Sequence, residues 1–299
     1  MYDIIIVGAG PAGLTAAIYA RRAQKSVLVL EAKSYGGQII NTLDIENYPV
    51  EEHISGFDFA TKLYKQTKAL GAEIVFEKVV DINDLGNTKE VITTKDKYTC
   101  KAVIIATGSE NRKLGLSNED ELVGKGISYC ATCDGAFYKG KTVAVVGGGN
   151  TALEDALYLS DIASKVYLIH RRDEFKANET TVAELKSKSN VEFVLNSTVQ
   201  ELKGTNKLES IVVVDKDGNR RTIEVAGLFV AVGQAPSNTA FLNVVKLDKV
   251  GFIEAEEDCL TNTPGVFVAG DTRTKKVRQL TTACADGAVA ALAACSYIK

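Results

Sequence analysis

The chain has 299 residues, 45% of them apolar and 24% charged, which suits two buried cores at roughly 150 residues per domain and excludes collagen, coiled-coil and low-complexity classes. With 35 basic and 38 acidic residues the net charge is −3, so no global attraction to nucleic acid is expected and any phosphate must be held by a local site. Six cysteines are too few for a disulfide-built secreted scaffold, which makes the reducing cytoplasm the expected compartment.

In chain order, Met1 leads directly into the strand-like run Tyr2 to Val7, without the basic segment or cleavage site of a signal peptide. Gly8-Ala9-Gly10-Pro11-Ala12-Gly13 comes next and opens a helix that runs to Arg22. This is the dinucleotide fingerprint in its required context. Gly8 permits the tight turn, Gly10 lets a pyrophosphate approach the backbone, and Gly13 allows close helix–strand packing. The helix start, with Pro11 and Ala12, offers free N–H groups and a partial positive charge to phosphate. After a second strand, Val27 to Leu30, comes Glu31, 23 residues beyond Gly8, where a carboxylate accepts ribose hydroxyls and repels a 2′-phosphate. This half is expected to bind FAD or NAD(H) rather than NADP(H); the plain alternative is a tight turn with no ligand.

Val91 to Thr94 alternates as an antiparallel hairpin strand does, and the first half closes with Val103 to Thr107 and Gly108. The opening order then returns: a strand at Thr142 to Val146, the cluster Gly147-Gly148-Gly149-Asn150-Thr151-Ala152, a helix to Leu159 and a strand at Lys165 to Ile169. At the position of Glu31 this copy has His170-Arg171-Arg172, with Lys176 a turn further. Guanidinium groups bind a phosphomonoester bidentately, so NADPH is expected over NADH; a solvated basic loop is the bland alternative. A second hairpin around Ile211 to Val214 turns at Asp217-Gly218, and the copy closes with Leu228 to Gly233.

A last segment runs through Thr263 to Asp271 into a final helix. Its apolar stretch, Ala283 to Cys295, is interrupted by Asp286 and is shorter than the roughly 20 residues of a bilayer span, so no membrane association is expected. The expected fold is α/β, with two Rossmann-like, doubly wound, three-layer domains, the second inserted into the first. Residues 1–116 and 241–299 are expected to form the FAD-binding domain and 117–240 the NADPH-binding domain, with crossings near Leu114 to Glu121 and Gln234 to Ala240. A hairpin is expected to extend each parallel sheet.

Cys130-Ala131-Thr132-Cys133-Asp134 is a C-x-x-C beside a βαβ unit. The spacing puts both sulfurs on one face of a helical turn, within reach of a disulfide, and a helix N-terminal position lowers a thiol pKa. A redox-active pair is one reading; half of a zinc site and a pair of inert buried cysteines are the others. No second C-x-x-C or C-x-x-H completes a zinc site, and no metal is expected. Asp134 either caps the turn or exchanges a proton with a thiolate, and the two roles are compatible. Cys100, Cys259, Cys284 and Cys295 read as small buried hydrophobes, and His53 has no visible partner.

Over essentially its whole length the chain resembles the low-molecular-weight thioredoxin reductases of bacteria. The resemblance is carried by Gly8 to Gly13, Gly36-Gly37-Gln38, Asn47-Tyr48-Pro49, Ala106-Thr107-Gly108, Cys130 to Asp134, Gly147 to Ala152, His170 to Arg172, Gly270-Asp271 and Arg278-Gln279. It implies a homodimeric enzyme with FAD that carries electrons from NADPH through a Cys130–Cys133 disulfide to thioredoxin. Cys133 would be the thiol next to the flavin, Cys130 the thiol that attacks thioredoxin, and Asp134 the acid–base group. FAD would be held by Gly8, Gly10, Pro11, Ala12, Gly13, Glu31, Gly36, Gly37, Gln38, Asn47, Thr107, Gly108, Gly270, Asp271, Arg278, Gln279 and Leu280. NADPH would be held by Gly147, Gly149, Asn150, Thr151, His170, Arg171, Arg172 and Lys176. The family also rotates its NADPH domain against its FAD domain during turnover.

Two departures bear on this. Lys176 stands where the family usually has arginine, which removes one bidentate fork from the phosphate clamp, and Asn150-Thr151 replaces a more frequent acidic-then-small pair. Two rival readings are a flavoprotein serving an alkyl hydroperoxidase of a peroxiredoxin system, and a redox sensor that binds FAD and NADPH without turnover. The first usually carries a thioredoxin-like extension ahead of the first strand, and the dithiol argues against the second. Relatives that take electrons from ferredoxin lack the glycine and His-Arg-Arg motifs present here.

Overall fold

Ile4, Ile5 and Ile6 are all fully buried. Successive strand residues point to opposite faces, so such a run requires a sheet covered on both sides. The computed structural model, which describes residues 1–42 and 44–298, meets that requirement in two units: residues 1–110 with 235–299, and residues 111–234. The chain passes from one to the other at Glu110–Asn111, ahead of the Leu114 to Glu121 stretch, and again at Gln234–Ala235.

In the first unit the parallel strands lie in the order Glu73–Val75, Val27–Leu30, Tyr2–Val7, Lys97–Ile105. Val266–Val268 pairs in parallel with the C-terminal part of Lys97–Ile105, while Val79–Asp84 and Lys89–Thr93 form a hairpin paired antiparallel to its N-terminal part. Helices Pro11–Arg22 and Leu280–Tyr297 bury Leu14, Ala17, Ala290 and Ala291 against Ile4 and Ile6 on one face. On the other face Val79, Ile82, Val91 and Phe241 meet Ile5 and Val7.

The second unit repeats the plan. Its parallel strands run in the order Val191–Val194, Lys165–Ile169, Thr142–Val146, Gly227–Val230, Ile127–Ser128. Helices Asn150–Ile162 and Glu179–Ser187 cover Val143 and Val145 with Leu153, Ala156, Leu159 and Leu185. The expected α/β class is present in both units; on the second face of the first sheet the hairpin is joined by Phe241, Val244 and Val245 at and after the turn Thr239–Phe241, whereas the second face of the second sheet is covered by antiparallel strands. One expectation is corrected: the second hairpin does not extend its parallel sheet. Ser197–Lys203, Ser210–Asp215 and Arg220–Glu224 form a separate three-stranded sheet, because Val199, Ile211, Val213 and Ile223 are needed to cover Ala144 and Val146.

The repeat extends to single hydrogen bonds. Gly8 N–H donates to Leu30 O and Ala106 N–H to Val7 O, both at 2.8 Å; Gly147 N–H donates to Ile169 O at 3.1 Å and Ala231 N–H to Val146 O at 2.8 Å. The last helix runs 18 residues, longer than its apolar stretch suggested, and is long and apolar enough to cross a membrane. One face of it packs in the core of the first unit, with Ala290, Ala291 and Ala294 buried, while Val289 and Leu292 are exposed. A Cβ on Gly287 would lie 2.2 Å from Ala12 O, so the two helices press backbone on backbone, and Asp286 is buried in ion pairs with Arg273 and Lys275.

Candidate active site

Close approach shapes the first glycine turn. Gly8 has φ +111°, and a Cβ there would lie 2.4 Å from Ala106 O; at Gly13 it would lie 1.9 Å from Gly8 O. Gly10 faces open space instead, and as N-cap it leaves the first amides of Pro11–Arg22 without a side-chain partner. Ala9 N–H and Lys33 N–H donate to the two oxygens of Glu31, each at 2.8 Å, which fixes this carboxylate at the end of its strand. Gly36 N–H donates to Ala9 O at 2.8 Å, and this brings Gly36, Gly37 and the exposed Gln38 to the turn. A Cβ on Gly270 would meet that of Ala12 at 2.8 Å, so Gly270 and Asp271 reach it as well.

Asp271 is the telling member of this group. Its Oδ1 is buried without a hydrogen-bond partner among the described residues, and burial pushes its carboxyl up against the pull of Lys275 and Arg278. A buried acceptor left unpaired is costly unless a ligand supplies the donor. Open glycine backbone, an uncapped helix start, a fixed carboxylate and an orphaned acceptor together fit a dinucleotide.

The flanking residues are held by neighbours that sequence patterns did not single out. Asn238 is fully buried; its Oδ1 accepts from Thr272 at 2.7 Å and from Thr107 at 3.3 Å, which ties the end of the closing strand, and with it Gly108, to the Gly270–Thr272 turn. Asp286 accepts the N–H of Gly270 (3.0 Å), two nitrogens of Arg273 (2.8 and 3.0 Å) and Lys275 Nζ (2.9 Å). Arg278 donates to the carbonyls of Lys275 (3.1 Å) and Arg273 (3.2 Å) and lies over the Phe252 ring. Asn47 donates to Gln279 at 3.4 Å, and Gln279 is the N-cap of the helix that Leu280 begins.

In the second unit Gly149 is the open position and the N-cap of Asn150–Ile162, with Thr151 exposed beside it. A Cβ on Gly148 would run into the His170 ring at 2.0 Å, and Lys176 N–H donates to Gly148 O at 2.8 Å. Asn178 N–H donates to the side chain of Asn150 at 2.9 Å. The loop after Ile169 is thereby strapped to the glycine turn. His170 stacks on Phe175, and burial, with the charges of Arg171 and Arg172 adding to it, holds its ring below the ordinary histidine range. Arg171, Arg172 and Lys176 are exposed, and among the described residues none of them pairs with a carboxylate.

The cysteine pair lies at the edge of the second sheet. Strand Ile127–Ser128 ends two residues before Cys130, which is the N-cap of the short helix Ala131–Asp134. Cys130 and Cys133 are joined in a disulfide, Cα atoms 5.3 Å apart, and both are half-buried. Asp134 does not cap the turn as one reading had it. Its carboxylate instead accepts Ser128 Oγ at 2.6 Å; burial pushes the carboxyl up and the Ser128 bond draws it partly back. Gly135 packs against Tyr158, Leu159 and Ile162 of the helix that carries Asp155, whose carboxyl burial raises to about 7.

His53 does have partners: its Nδ1 lies 2.8 Å from Asp44 and 3.7 Å from Glu46, an exposed surface group remote in sequence from both turns. Cys100, Cys259 and Cys295 are buried thiols, and Cys284 is half-buried.

Residues 2–287 match the pyridine nucleotide-disulphide oxidoreductase family. The chain belongs to that family. It is 42% identical to a thioredoxin reductase of Listeria monocytogenes over 100% of this chain and 94% of that protein, and 41% identical to one of Bacillus subtilis over 100% and 95%. The crystal structure of thioredoxin reductase from Streptococcus pyogenes is similar to it with a TM-score of 0.94 at 39% identity, covering 99% of this chain and 98% of that one. Membership implies the use of a flavin and of NADPH.

The network around Asp286 yields a stability prediction. Burial alone would raise its carboxyl, and the hydrogen bonds and charges of Arg273 and Lys275 outweigh that and lower it. A lowered carboxyl stabilises the fold above the unfolded value, roughly 3.9, and the contribution is lost as pH falls through the folded value. Asp286→Asn leaves the buried Arg273 short of its main counter-charge, a change that costs about 3 kcal/mol or more. In urea unfolding the gap between the variant and the parent is widest near neutral pH and closes as pH drops below the carboxylate range; a gap independent of pH contradicts the assignment.

Proposed function

We propose that the protein is an NADPH-dependent thioredoxin reductase that passes electron pairs through the Cys130–Cys133 disulfide to oxidised thioredoxin. The observation that carries this reading is the disulfide itself, closed beside the raised carboxyl of Asp134 in a chain of the disulphide oxidoreductase family.

In this reading FAD lies in the first unit. Gly10 admits its pyrophosphate to the helix start, Glu31 accepts its ribose hydroxyls, and Asp271 Oδ1 gains the donor it lacks. Gly36 to Gln38, Asn47, Thr107, Gly108 and Arg278 to Leu280 complete the cradle. Bound FAD supplies two-electron transfer between a nicotinamide and a disulfide. NADPH lies in the second unit, its pyrophosphate at Gly147 to Thr151 and its 2′-phosphate against Arg171, Arg172 and Lys176, with a neutral His170 beneath the glycine turn.

An electron pair entering the disulfide breaks its S–S bond and leaves two thiolates. Asp134, kept protonated to higher pH by burial, donates its proton to Cys133 and becomes a carboxylate. The Cys130 thiolate attacks one sulfur of the thioredoxin disulfide and releases the other. Asp134 then takes the proton back, and the Cys133 thiolate attacks Cys130, which frees the second thioredoxin sulfur and closes the pair again.

Steady-state NADPH oxidation with oxidised thioredoxin tests this. Cys133→Ser is expected to abolish thioredoxin reduction while NADPH still bleaches the flavin; retained thioredoxin turnover overturns the reading. Replacing Arg171 and Arg172 together by alanine is expected to raise KM for NADPH about tenfold or more and to leave KM for NADH unchanged. Equal effects on the two nucleotides remove the phosphate clamp.

A further inference from the structure

Ser128 is neither a cysteine nor an acid, yet it touches both partners of the proposed chemistry. It is 4% exposed and fixed in the edge strand by pairing with Phe229. A hydroxyl has one proton to give. Asp134 Oδ2 lies 2.6 Å from Ser128 Oγ and Cys130 O lies 3.2 Å from it, so the proton goes to the carboxylate. The same oxygen accepts Cys130 N–H at 3.1 Å. One side chain therefore ties the backbone of the first redox cysteine to the carboxyl that follows the second.

We propose that Ser128 is a positioning residue, holding Asp134 by Oδ2 so that Oδ1 is the oxygen that exchanges a proton with the Cys130–Cys133 pair, and favouring the carboxylate over the acid. This rests on the acid–base role assigned to Asp134. The physical logic is a balance: burial favours the neutral carboxyl, and a hydrogen bond donated to the charged form favours the carboxylate. Burial raises the proton affinity of the group, and the Ser128 bond works against it, easing the return to the base form.

The other titratable groups nearby do not supply that donor. Tyr138, on the turn Gly135–Tyr138, is raised by burial and then by the charge of Asp134. Asp155 and Tyr158 lie on the helix packed against the turn, where Asp155 is raised to about 7 by burial and then by Glu154. Tyr129 gives its hydroxyl to Glu119 at 2.8 Å. Among the described residues Ser128 is the side chain that donates to Asp134.

The test is the titration of the Asp134 carboxyl carbon, read by carbon-13 NMR on the full-length, flavin-loaded protein labelled at aspartate and assigned with Asp134→Asn. In Ser128→Ala the midpoint is expected to rise by about one pH unit, and in Ser128→Thr, which keeps the hydroxyl, to stay near the parent value. An unmoved midpoint in Ser128→Ala, or the same shift in both variants, overturns the proposal. Thioredoxin turnover by Asp134→Asn separates the two ideas: unimpaired turnover overturns the acid–base role, while the carboxyl titration still decides whether Ser128 sets the proton affinity of Asp134.

Discussion

In both units a strand ends, the backbone slips past the end of the neighbouring strand at contact distance, and a helix begins. A Cβ on Gly8 would lie 2.4 Å from Ala106 O, and one on Gly147 would lie 2.4 Å from Ala231 O, so side chains are excluded from both passages by the same steric contact. The units differ at the third position of the turn. Gly13 has no room for a Cβ, whereas Ala152 carries one against Gly147. What the constraint secures is common to both: Gly10 and Gly149 face open space in front of free helix amides, at the C-terminal ends of parallel strands, where α/β sheets bind ligands. One strand over, the units differ in charge: a backbone-anchored carboxylate at Glu31 in the first, exposed cations at Arg171, Arg172 and Lys176 in the second, and in the proposed reading this difference selects the nucleotide.

The redox turn draws on the same sheet in a different way. Ile127–Ser128 is only two residues long, but its pairing with Leu228 and Phe229 anchors the segment that delivers Cys130. The sulfurs are half-buried, and beside them burial pushes the Asp134 carboxyl up while the Ser128 hydrogen bond draws it partly back. Stability and chemistry are separated in space along the chain. Asp286, Arg273 and Lys275 form an ionic cluster that sets the loop carrying Asp271, whose Oδ1 has no hydrogen-bond partner among the described residues.

Much of the candidate site is legible in sequence because it is local. The spacing of Gly8 to Gly13, the exchange of Glu31 for His170-Arg171-Arg172 and the three-residue step from Cys130 to Cys133 are steric or electrostatic facts within a few residues. The groups that orient these residues were not legible, because their contacts cross long stretches of sequence. Asn238 reaches Thr107 across 131 residues, and nothing in the Gln234 to Ala240 crossing announces it. Ser128 is an ordinary serine in sequence, and its role depends on a turn that folds Asp134 back onto it. The second hairpin was read correctly as antiparallel strands, but a two-residue period says nothing about which sheet a strand joins, and burial of Ala144 and Val146 decided that. His53 found Asp44 because the intervening chain doubles back, with Ile45 and Ile54 bridging.

In the proposed reading one chain stores electron pairs at two places, a bound flavin and the Cys130–Cys133 disulfide. Anaerobic titration of the flavin-loaded protein with NADPH, followed by flavin absorbance and by a count of free thiols, measures this directly. Complete reduction is predicted to take about two equivalents of NADPH per chain and to release two new thiols, falling to about one equivalent and none when both cysteines are replaced by serine. Saturation of the unmodified protein at about one equivalent, with no new thiols, would contradict the account.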